Sequence, residues 1–377
     1  MTRMGRRWVT AFGLALTTAA CGAASEEVDE AEEVAHITRA QTPASEFVPV
    51  ELEATVDHLV ARINENELQP MQMVVLLKNL GAFFTPIATG ASRAMGELGV
   101  TGNVLGPTEQ TDDPLSTQEL QNQQMAEAAA NGAKGIGVSP FNDVNAAGID
   151  KAAEQGVHVV TFDTDLATSK RSIYVGTLNR SAGATAGETL LKMLPPAPGT
   201  VVIHGNVGTD WVDGFERTEG ARDVLAKAGY ATVVSQVFFF GGGDADDVAW
   251  MTSQMQAANP PVVGMLGLFN LSYRCAMAAE AAGKPELPVV AFDFDPKTVD
   301  YMRQGRIKAT HIQRQYYEGY LVPYILYGIN SIGLDATKAI LAPQMSDEFR
   351  FNIGVDMVPW DKVDAYNDFL DSIGATQ

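Results

Sequence analysis

The sequence predicts an α/β protein with two Rossmann-like lobes, each a parallel β-sheet covered by helices on both faces. The first observation is a repeated pattern, Val-Val-x-Phe-Asp-x-Asp, which begins at Val159 and again at Val289. Each copy is an apolar, β-branched run that stops at two carboxylates, which is typical of a buried parallel strand whose carboxyl end opens onto a cleft. The second observation is an alternation of strand-like and helix-like segments from about 70 to 345. This region holds too many such units for one small sheet, so two lobes are predicted.

The elements of the first lobe follow from apolar spacing and helix-end signals. Residues 47–68 have the apolar spacing of a helix, and Ser116 with Glu119 forms a capping box that opens a helix ending near Gly132. The other predicted elements are a strand at 71–77, a strand at 135–138, a helix at 143–155 and a strand at 157–162. The last of these strands ends in the first Asp-x-Asp pair.

The elements of the second lobe continue the same alternation. Gly229, Gly283 and Gly305 stand where three of its helices are expected to end. Strands are predicted at 200–204, 232–237, 262–266, 289–292 and 307–312, and helices at 181–193, 213–228, 245–258, 272–282, 298–304 and 316–329. The strand at 289–292 ends in the second Asp-x-Asp pair.

The bulk composition indicates a folded, acidic protein. A chain of 377 residues allows two domains of ordinary size, and 46% hydrophobic residues against 19% charged residues favour a globular body. The net charge of −20 argues against nucleic acid and anionic membrane surfaces as partners, because both require patches of Lys and Arg.

The N-terminus has the features of an export signal. Three arginines precede a short apolar stretch at 8–16, which is too short to span a bilayer and predicts a cleavable signal peptide. Cys21 follows Ala-Ala and resembles the lipidated cysteine of a bacterial lipobox, although Thr18 stands where that pattern favours Leu. We therefore expect residues 1–21 to direct export to the periplasm or outer cell surface, with the protein anchored to the membrane through Cys21.

An acidic segment and a single further cysteine complete the outline. Residues 22–45 are rich in Ala, Glu, Asp and Thr, which predicts a flexible linker, with an acidic helix as the alternative. Cys275 is the only cysteine besides Cys21, so no disulfide forms within the mature body and Cys275 is expected to be a small core residue.

The two Asp-x-Asp pairs are candidate binding residues. Ligands of open α/β sheets bind outside the carboxyl ends of the strands, so each pair marks half of a site. A divalent cation, as in metal-dependent glycosyl-transfer enzymes, needs a compact cage of six or more oxygens, whereas these pairs belong to different lobes. Helix capping is a further alternative for Asp165 and Asp295, and it would leave Asp163 and Asp293 to face the cleft.

Aromatic residues recur at the same strand ends, whereas common enzyme motifs do not occur in the sequence. The aromatic residues are Phe83, Phe84, Trp211, Phe238 to Phe240 and Phe269. Sugars combine an apolar face with a rim of hydroxyls, so aromatic rings beside carboxylates suit them. There is no His-Glu-x-x-His, Cys-x-x-Cys, Walker-type Gly-Lys-Ser/Thr or Gly-x-Ser-x-Gly motif. We therefore expect a binding protein rather than an enzyme.

Four stretches closely resemble the periplasmic sugar-binding proteins of ABC transporters, in the ribose/glucose-binding group. They are FDTDLATSKRSIYVGTLNRSAGATAGE from Phe162, GLFNLSYRCAMAAEAAGK from Gly267, VVAFDFDPKTVDYMRQGRIKATHIQRQYYEGY from Val289, and the Phe83-Phe84 pair. The resemblance spans about 70–345 and implies a type I periplasmic binding fold, with sugar bound between two lobes joined by three crossovers. It places lobe one at 46–178 plus 315–350 and lobe two at 179–314 plus 351–377. It also implies a monomer that binds a monosaccharide, needs no cofactor or metal, and meets an ABC permease in the membrane.

The resemblance also implies a set of ligand-binding residues. Phe83 and Phe84 match aromatics that sandwich the sugar ring, and Asp163 and Asp293 match acceptors of its hydroxyls. The chain departs from relatives where Phe269 and Ser272 replace Trp and Asn, and where Gly-Ala replaces Asn-Pro, so that Asn79 becomes the nearest amide. The predicted set is Asn79, Phe83, Phe84, Asp163, Asp165, Trp211, Asp213, Arg217, Phe240, Phe269, Ser272, Asp293 and Gln313.

Three alternatives stay open at this stage. The ligand could be another polar solute, such as a nucleoside, a polyol or a furanose signal molecule. The Asp-x-Asp pairs could serve a metal-dependent glycosyl-transfer enzyme, although the export signal and the missing catalytic base argue against it. A transcription regulator of the same architecture would need a helix-turn-helix before Met71, where the sequence has an export signal and an acidic linker instead.

Overall fold

Two six-stranded β-sheets organise the protein, whose computed structural model describes residues 36–107, 114–209, 211–236 and 243–376. The strands are β1 (Gln72–Leu76), β2 (Thr101–Leu105), β3 (Gly135–Val138), β4 (His158–Phe162), β5 (Ile173–Gly176), β6 (Thr200–Gly205), β7 (Ala231–Gln236), β8 (Val262–Gly267), β9 (Val289–Phe292), β10 (Ala309–Gln313), β11 (Arg350–Asn352) and β12 (Val355–Pro359). The predictions for Cys21, for most of the acidic linker and for Phe240 lie outside the described residues.

Helices separate most of these strands. They are α1 (Val50–Ile63), α2 (Thr85–Glu97), α3 (Pro114–Ala130), α4 (Ala146–Glu154), α5 (Asn179–Leu191), α6 (Val212–Lys227), α7 (Asp244–Ala257), α8 (Tyr273–Ala281), α9 (Pro296–Arg303), α10 (Gln315–Ile332), α11 (Leu334–Leu341) and α12 (Val363–Ser372). In the part of the chain that the structure describes, no helix combines the length and the hydropathy needed to cross a bilayer.

The two sheets repeat one strand order. The first sheet runs β11-β5-β4-β3-β1-β2 and the second runs β12-β10-β9-β8-β6-β7. Neighbouring strands are parallel throughout, except that β12 pairs with β10 in the antiparallel sense. The chain thus forms two lobes of the predicted α/β class, and the prediction of a type I periplasmic binding fold is confirmed.

The chain passes between the two sheets three times. The crossings lie between β5 and α5, between β10 and α10, and between β11 and β12. The last crossing follows Asn352, because β11 pairs with β5 of the first sheet. Residues 351 and 352, which the sequence placed in lobe two, therefore belong to the first sheet.

Two helix pairs pack closely at glycines. A Cβ atom at Gly319 of α10 would lie 1.9 Å from the carbonyl oxygen of Ile87 in α2, and one at Gly220 of α6 would lie 1.9 Å from the carbonyl oxygen of Arg180 in α5. A larger residue at either position would force the helices apart. The second pair matters for the site, because α5 and α6 begin at the interface between the lobes.

Residues 36–63 form an N-terminal strap that packs on both lobes near the crossings. Ile37 and Arg39 are buried in it, so the prediction of a flexible linker is wrong for residues 36–45. Arg39 is buried, pairs with Glu53 and donates to the Tyr320 hydroxyl of α10 at 3.2 Å. Further along the strap, before α1, the ring of Phe47 lies edge-on to Tyr366 of α12, with 5.0 Å between the ring centroids. The strap thus contacts a helix of the first lobe and the helix that follows the last strand of the second sheet.

Candidate functional site

The candidate site lies where β4 and β9 end, at Asp163 and Asp293. Both residues adopt left-handed backbone conformations, with φ of 63° and 65°, and no other non-glycine residue in the described ranges has a positive φ. Such a conformation is unfavourable for a residue with a Cβ atom, and it persists only where the surroundings impose it, most often at functional sites. The repeated sequence pattern therefore corresponds to a repeated backbone geometry.

Asp163 is held on all sides by the first lobe. Its carboxylate accepts from the Lys78 ammonium at 2.7 Å and from the Ser139 hydroxyl at 2.7 Å. Its backbone N–H donates to Glu318 Oε1 at 2.8 Å, and its carbonyl accepts from the Tyr174 hydroxyl at 3.1 Å. The N–H, the carbonyl and Oδ2 of Asp163 thus each have a partner, and the carboxylate is oriented by the two donors to Oδ2.

Asp293 is more deeply buried and lacks a paired lysine. Its carboxylate accepts from Gln313 Nε2 at 3.0 Å, and only 4% of the residue is exposed. Its N–H donates to the carbonyl of His311 at 2.7 Å, and its carbonyl accepts from the Thr310 hydroxyl at 2.6 Å. Burial raises the pKa of Asp293 to about 6, although the nearby Arg217 guanidinium opposes this shift.

Polar side chains of the two lobes meet directly beside Asp163. The Thr164 hydroxyl of the first lobe donates to Asp213 Oδ2 at 2.5 Å, and Lys78 Nζ donates to the Thr164 hydroxyl oxygen at 2.5 Å. Asp213 Oδ1 accepts from Asn179 Nδ2 at 2.9 Å, and burial raises the pKa of Asp213 to about 6. Lys78 is absent from the predicted set, although its place directly after the apolar run of β1 was a usable signal.

Arg217 links the two aspartates of the second lobe. It is buried, and its guanidinium donates to Asn179 Oδ1 at 2.6 Å, to the carbonyl of Leu268 at 2.8 Å and to Gln313 Oε1 at 3.1 Å. The guanidinium also lies 4.2 Å from the ring centroid of Phe292. Burial lowers the pKa of Arg217, and the surrounding carboxylates counteract this shift. The residue therefore holds Asn179 and Gln313, which in turn orient Asp213 and Asp293.

The predicted aromatic residues divide into exposed and core positions. Phe83 is half-buried, whereas Phe84, whose ring lies edge-on to it at 5.1 Å, is 6% exposed and belongs to the core of the first lobe. In the second lobe, the half-buried ring of Trp211 packs at 4.4 Å on Phe269, which is buried. Phe83 and Trp211 are thus the aromatic residues of this set with exposed surface in the described ranges.

The two capping predictions for the second residue of each Asp-x-Asp pair have different outcomes. Asp295 is the N-cap of α9 and accepts from the N–H of Lys297 at 2.8 Å, so that prediction is confirmed. The prediction for Asp165 is wrong, because no helix follows it and the chain continues through a turn to β5. The Asp165 carboxylate instead pairs with both Nε and Nη2 of Arg171.

Two further residues of the predicted set have backbone partners. Ser272 is fully buried, where its hydroxyl donates to the carbonyl of Phe269 and accepts from the N–H of Phe292 at 3.0 Å. It thus joins the segment that follows β8 to the end of β9. Asn79 Oδ1 accepts from the N–H of Gly81 at 2.8 Å and so stabilises the turn after β1.

The interface offers both signs of hydrogen-bonding group without a metal-type cage. Its acceptors are the carboxylates of Asp163, Asp213 and Asp293, and its donors include Lys78 and Gln313. Among the residues described by the structure, no three His, Cys, Asp or Glu side chains are grouped as metal ligands. Donors placed beside acceptors in this way suit an uncharged ligand rich in hydroxyls, because each hydroxyl both donates and accepts.

The fold and the interlobe arrangement define a two-lobed solute-binding protein. The model of the periplasmic binding protein domain matches residues 73–331, and the chain belongs to this family of solute-binding proteins. Members of the family bind solutes rather than catalyse reactions, which contradicts the alternative of a glycosyl-transfer enzyme.

Individual relatives are distant. The ribose import binding protein RbsB of Escherichia coli strain K12 is 23% identical over 261 residues, which are 68% of this chain and 83% of the relative. The structure of AraP, an arabinose-binding protein from Geobacillus stearothermophilus, has a TM-score of 0.62 at 24% identity and covers 79% of this chain and 99% of its own. A solute-binding protein from Burkholderia graminis C4D1M, solved in complex with D-arabinose, has a TM-score of 0.60 at 25% identity and covers 79% and 98%.

Proposed function

We propose that this protein is the solute-binding component of an ABC importer and that it captures a monosaccharide between its lobes. The observation that carries the proposal is the convergence of Asp163 from one lobe with Asp213 and Asp293 from the other, each oriented by donors of its own lobe. The named relatives support it, because RbsB is a ribose import binding protein and AraP binds arabinose. Bound sugar would bridge the lobes and favour the closed state, which a membrane permease then recognises.

The ligand contacts that we propose come from a subset of the predicted residues. Asp163 and Asp293 accept from ring hydroxyls, and Lys78 donates to them. Phe83 and Trp211 pack on the apolar faces of the ring from opposite lobes. Asp165 and Ser272 have structural roles in this proposal, because Arg171 engages the first and the backbone groups of Phe269 and Phe292 engage the second.

The organisation of the whole chain is part of the proposal. Lobe one comprises 46–178 and 315–352 and lobe two comprises 179–314 and 353–377, with the last boundary moved to follow the pairing of β11. The protein is exported as a monomer and is held at the membrane by a lipid on Cys21. Mass spectrometry of the N-terminal peptide from the membrane fraction tests for the lipid on Cys21. In a second test, we expect a Cys21→Ala variant to move to the soluble fraction.

A thermal-shift screen of the purified protein tests the ligand class. The panel contains D-ribose, D-xylose, D-arabinose, D-allose, D-glucose and D-galactose, with a nucleoside and a polyol as members of the competing classes. We expect one or more monosaccharides to raise the melting temperature, with calorimetry confirming one site per chain. A shift with the nucleoside or the polyol alone would overturn the proposal.

A further inference from the structure

A buried carboxyl group beneath the interlobe site has no assigned role. Glu318 lies in the first turn of α10, immediately after the second crossing between the sheets, and 1% of the residue is exposed. Its Oε1 accepts from the backbone N–H of Asp163 at 2.8 Å, and its Oε2 has no hydrogen-bond partner among the described atoms. Burying a carboxyl group costs free energy, so a carboxyl group is rarely buried unless it interacts with a neighbouring group.

The single hydrogen bond of Glu318 acts on the strained residue of the site. Asp163 has a φ of 63°, and the Glu318 side chain holds its N–H while the Tyr174 hydroxyl holds its carbonyl oxygen. Both peptide groups that flank the left-handed residue are therefore fixed by side chains. The backbone makes room for this arrangement, since a Cβ atom at Gly176 would lie 2.3 Å from the Tyr174 hydroxyl oxygen and 3.0 Å from Glu318 Oε1.

The second lobe holds Asp293 in the same left-handed conformation without a buried carboxyl side chain at its N–H. Asp293 has nearly the same φ, 65°, but its N–H donates to the main-chain carbonyl of His311 in the adjacent β10. The Asp293 conformation is thus maintained by the backbone of the neighbouring strand β10. The Asp163 conformation depends instead on the Glu318 side chain of α10. This difference provides an internal control for any test of Glu318.

The electrostatic surroundings favour an uncharged Glu318. Burial raises the pKa of Glu318 well above its usual range, and the Asp163 and Asp213 carboxylates add to the shift while Lys78 opposes it. In the protonated form, Oε1 is the carbonyl oxygen that accepts from Asp163. A glutamine has the same shape and the same acceptor, so it can replace the protonated acid.

We propose that Glu318 is a positioning residue, which fixes the left-handed turn at Asp163 and so aims the Asp163 carboxylate at the ligand. Because Glu318 belongs to α10, it also ties that carboxylate to the second crossing between the lobes. Its effect on ligand affinity rests on the proposed function, whereas its effect on the Asp163 backbone does not.

Site-resolved hydrogen exchange of the full chain without ligand tests the positioning role directly. We expect Glu318→Leu to accelerate exchange of the Asp163 amide at least tenfold and to leave the Asp293 amide unchanged, with Glu318→Gln restoring the wild-type rate. Unchanged exchange at Asp163 in Glu318→Leu would overturn the proposal. If Glu318→Leu does not fold, Glu318→Ala replaces it, because this variant removes the same acceptor of the Asp163 N–H with a shorter side chain. Exchange around Asp163 should then rise, and an unchanged rate there would equally overturn the proposal.

A double-mutant cycle tests the link to the ligand, with the monosaccharide that gives the largest thermal shift as the probe. Glu318→Leu should lower its affinity roughly tenfold, as expected for loss of one well-placed hydrogen bond. The effect should be non-additive with Asp163→Asn and additive with Asp293→Asn. Equal additivity with both would contradict a positioning role. If no monosaccharide binds, the proposed function fails while the exchange measurement still decides the role of Glu318.

Discussion

Asp163 and Asp293 occupy the same position in the two lobes. They directly follow β4 and β9, which hold equivalent places in the two strand orders, and they share a left-handed backbone conformation. Their carboxylates are close enough for Asp163 to raise the pKa of Asp293. The partners nevertheless differ, since Asp163 pairs with the Lys78 ammonium and Asp293 accepts from the neutral Gln313 amide. The two lobes thus present one backbone geometry with two electrostatic settings.

Replacement of Asp293 should weaken sugar binding strongly. Loss of a hydrogen bond to a charged group costs about 1.5–3 kcal/mol, so Asp293→Ala should reduce affinity roughly tenfold to 150-fold in calorimetry. The matched control is Asp295→Ala in the same Asp-x-Asp pair. Loss of this helix cap should cost about 1 kcal/mol of folding stability and leave affinity unchanged. Near-normal binding by Asp293→Ala would show that the carboxylate is not a ligand acceptor.

The buried carboxyls should make stability depend on pH in a defined direction. The pKa values of Asp213 and Asp293 are raised from 3.8 to about 6, so the folded protein keeps protons that the unfolded chain releases between about pH 4 and 6. Their ionisation therefore lowers the unfolding free energy as the pH rises through this window, by an upper bound of about 3 kcal/mol per carboxyl. His204 and His311, whose pKa values are lowered by burial, act in the opposite sense.

This pH dependence is tested by the difference in unfolding free energy between wild type and a variant. The histidines contribute equally to both proteins, so their contribution cancels. Denaturant unfolding of wild type and of the Asp213→Asn/Asp293→Asn double variant should be compared at pH 4.5 and pH 7. The variant should gain stability relative to wild type at pH 7 and little at pH 4.5, because Asn mimics the protonated acid. An equal difference at both pH values would refute the assignment.

Phe83 and Phe84 should respond differently to the same truncation. Phe84 is a core residue, and Phe84→Ala should cost about 3–5 kcal/mol of stability. Phe83→Ala should cost much less stability but should lose about 0.5–1.5 kcal/mol of sugar affinity from stacking. Thermal melts and calorimetry on the two variants check the contrast. Equal affinity of Phe83→Ala and wild type would remove Phe83 from the site.

Sugar binding should not require a divalent cation. The Asp163 carboxylate is already neutralised by Lys78, at 2.7 Å, and the described residues contain no cluster suited to a metal. Calorimetry in EDTA should therefore give the same affinity as calorimetry with added Mg²⁺ or Ca²⁺. Binding that disappears with EDTA and returns with a cation would contradict this expectation.

The N-terminal strap should contribute to stability mainly through Arg39. Its side chain is 3% exposed and pairs with Glu53, which is 13% exposed. Arg39→Ala leaves this carboxylate with the Thr42 and Tyr317 hydroxyls as donors but without its cation, and should cost about 3 kcal/mol. The control Arg62→Ala removes the ion pair between Arg62 and Glu65, whose side chains are 48% and 57% exposed, and should cost less than about 1 kcal/mol. Denaturant unfolding measures both, and similar costs would contradict the role of the strap.

The sequence predicts those elements whose apolar pattern is continuous. The predicted bounds of β3 and β9 are the observed ones, and Gly229, Gly283 and Gly305 have the positive φ expected where helices end. β2 was not predicted, because its first three residues are exposed and it has no apolar run. β11 has only three residues, and its pairing with β5 depends on a contact between residues more than 170 positions apart, which no local pattern encodes.

The site residues were likewise predicted only in part. Repetition marked Asp163 and Asp293 as strand-end residues in different sheets, and both lie at the interlobe contact. The role of Lys78 was missed although it directly follows the apolar run of β1, because the sequence does not show the strand order β4-β3-β1 that brings it to Asp163. Asp165 looks like a helix cap in sequence, but no helix follows it in the structure and its carboxylate pairs with Arg171.

The order of the three crossings has a consequence for how the chain folds. α10 supplies many core residues of the first lobe, including Leu321, Val322 and Ile325, yet it follows all of β6 to β10 in sequence. The first lobe is therefore begun first but cannot complete its core until α10 has been synthesised, after β6 to β10 of the second lobe. The second lobe in turn receives β12, which pairs with β10, only after α10 and β11, and non-local contacts of this kind slow folding. Formation of α10 in place thus adds the central helix of the first lobe, and with it the hydrogen bond from Asp163 to Glu318.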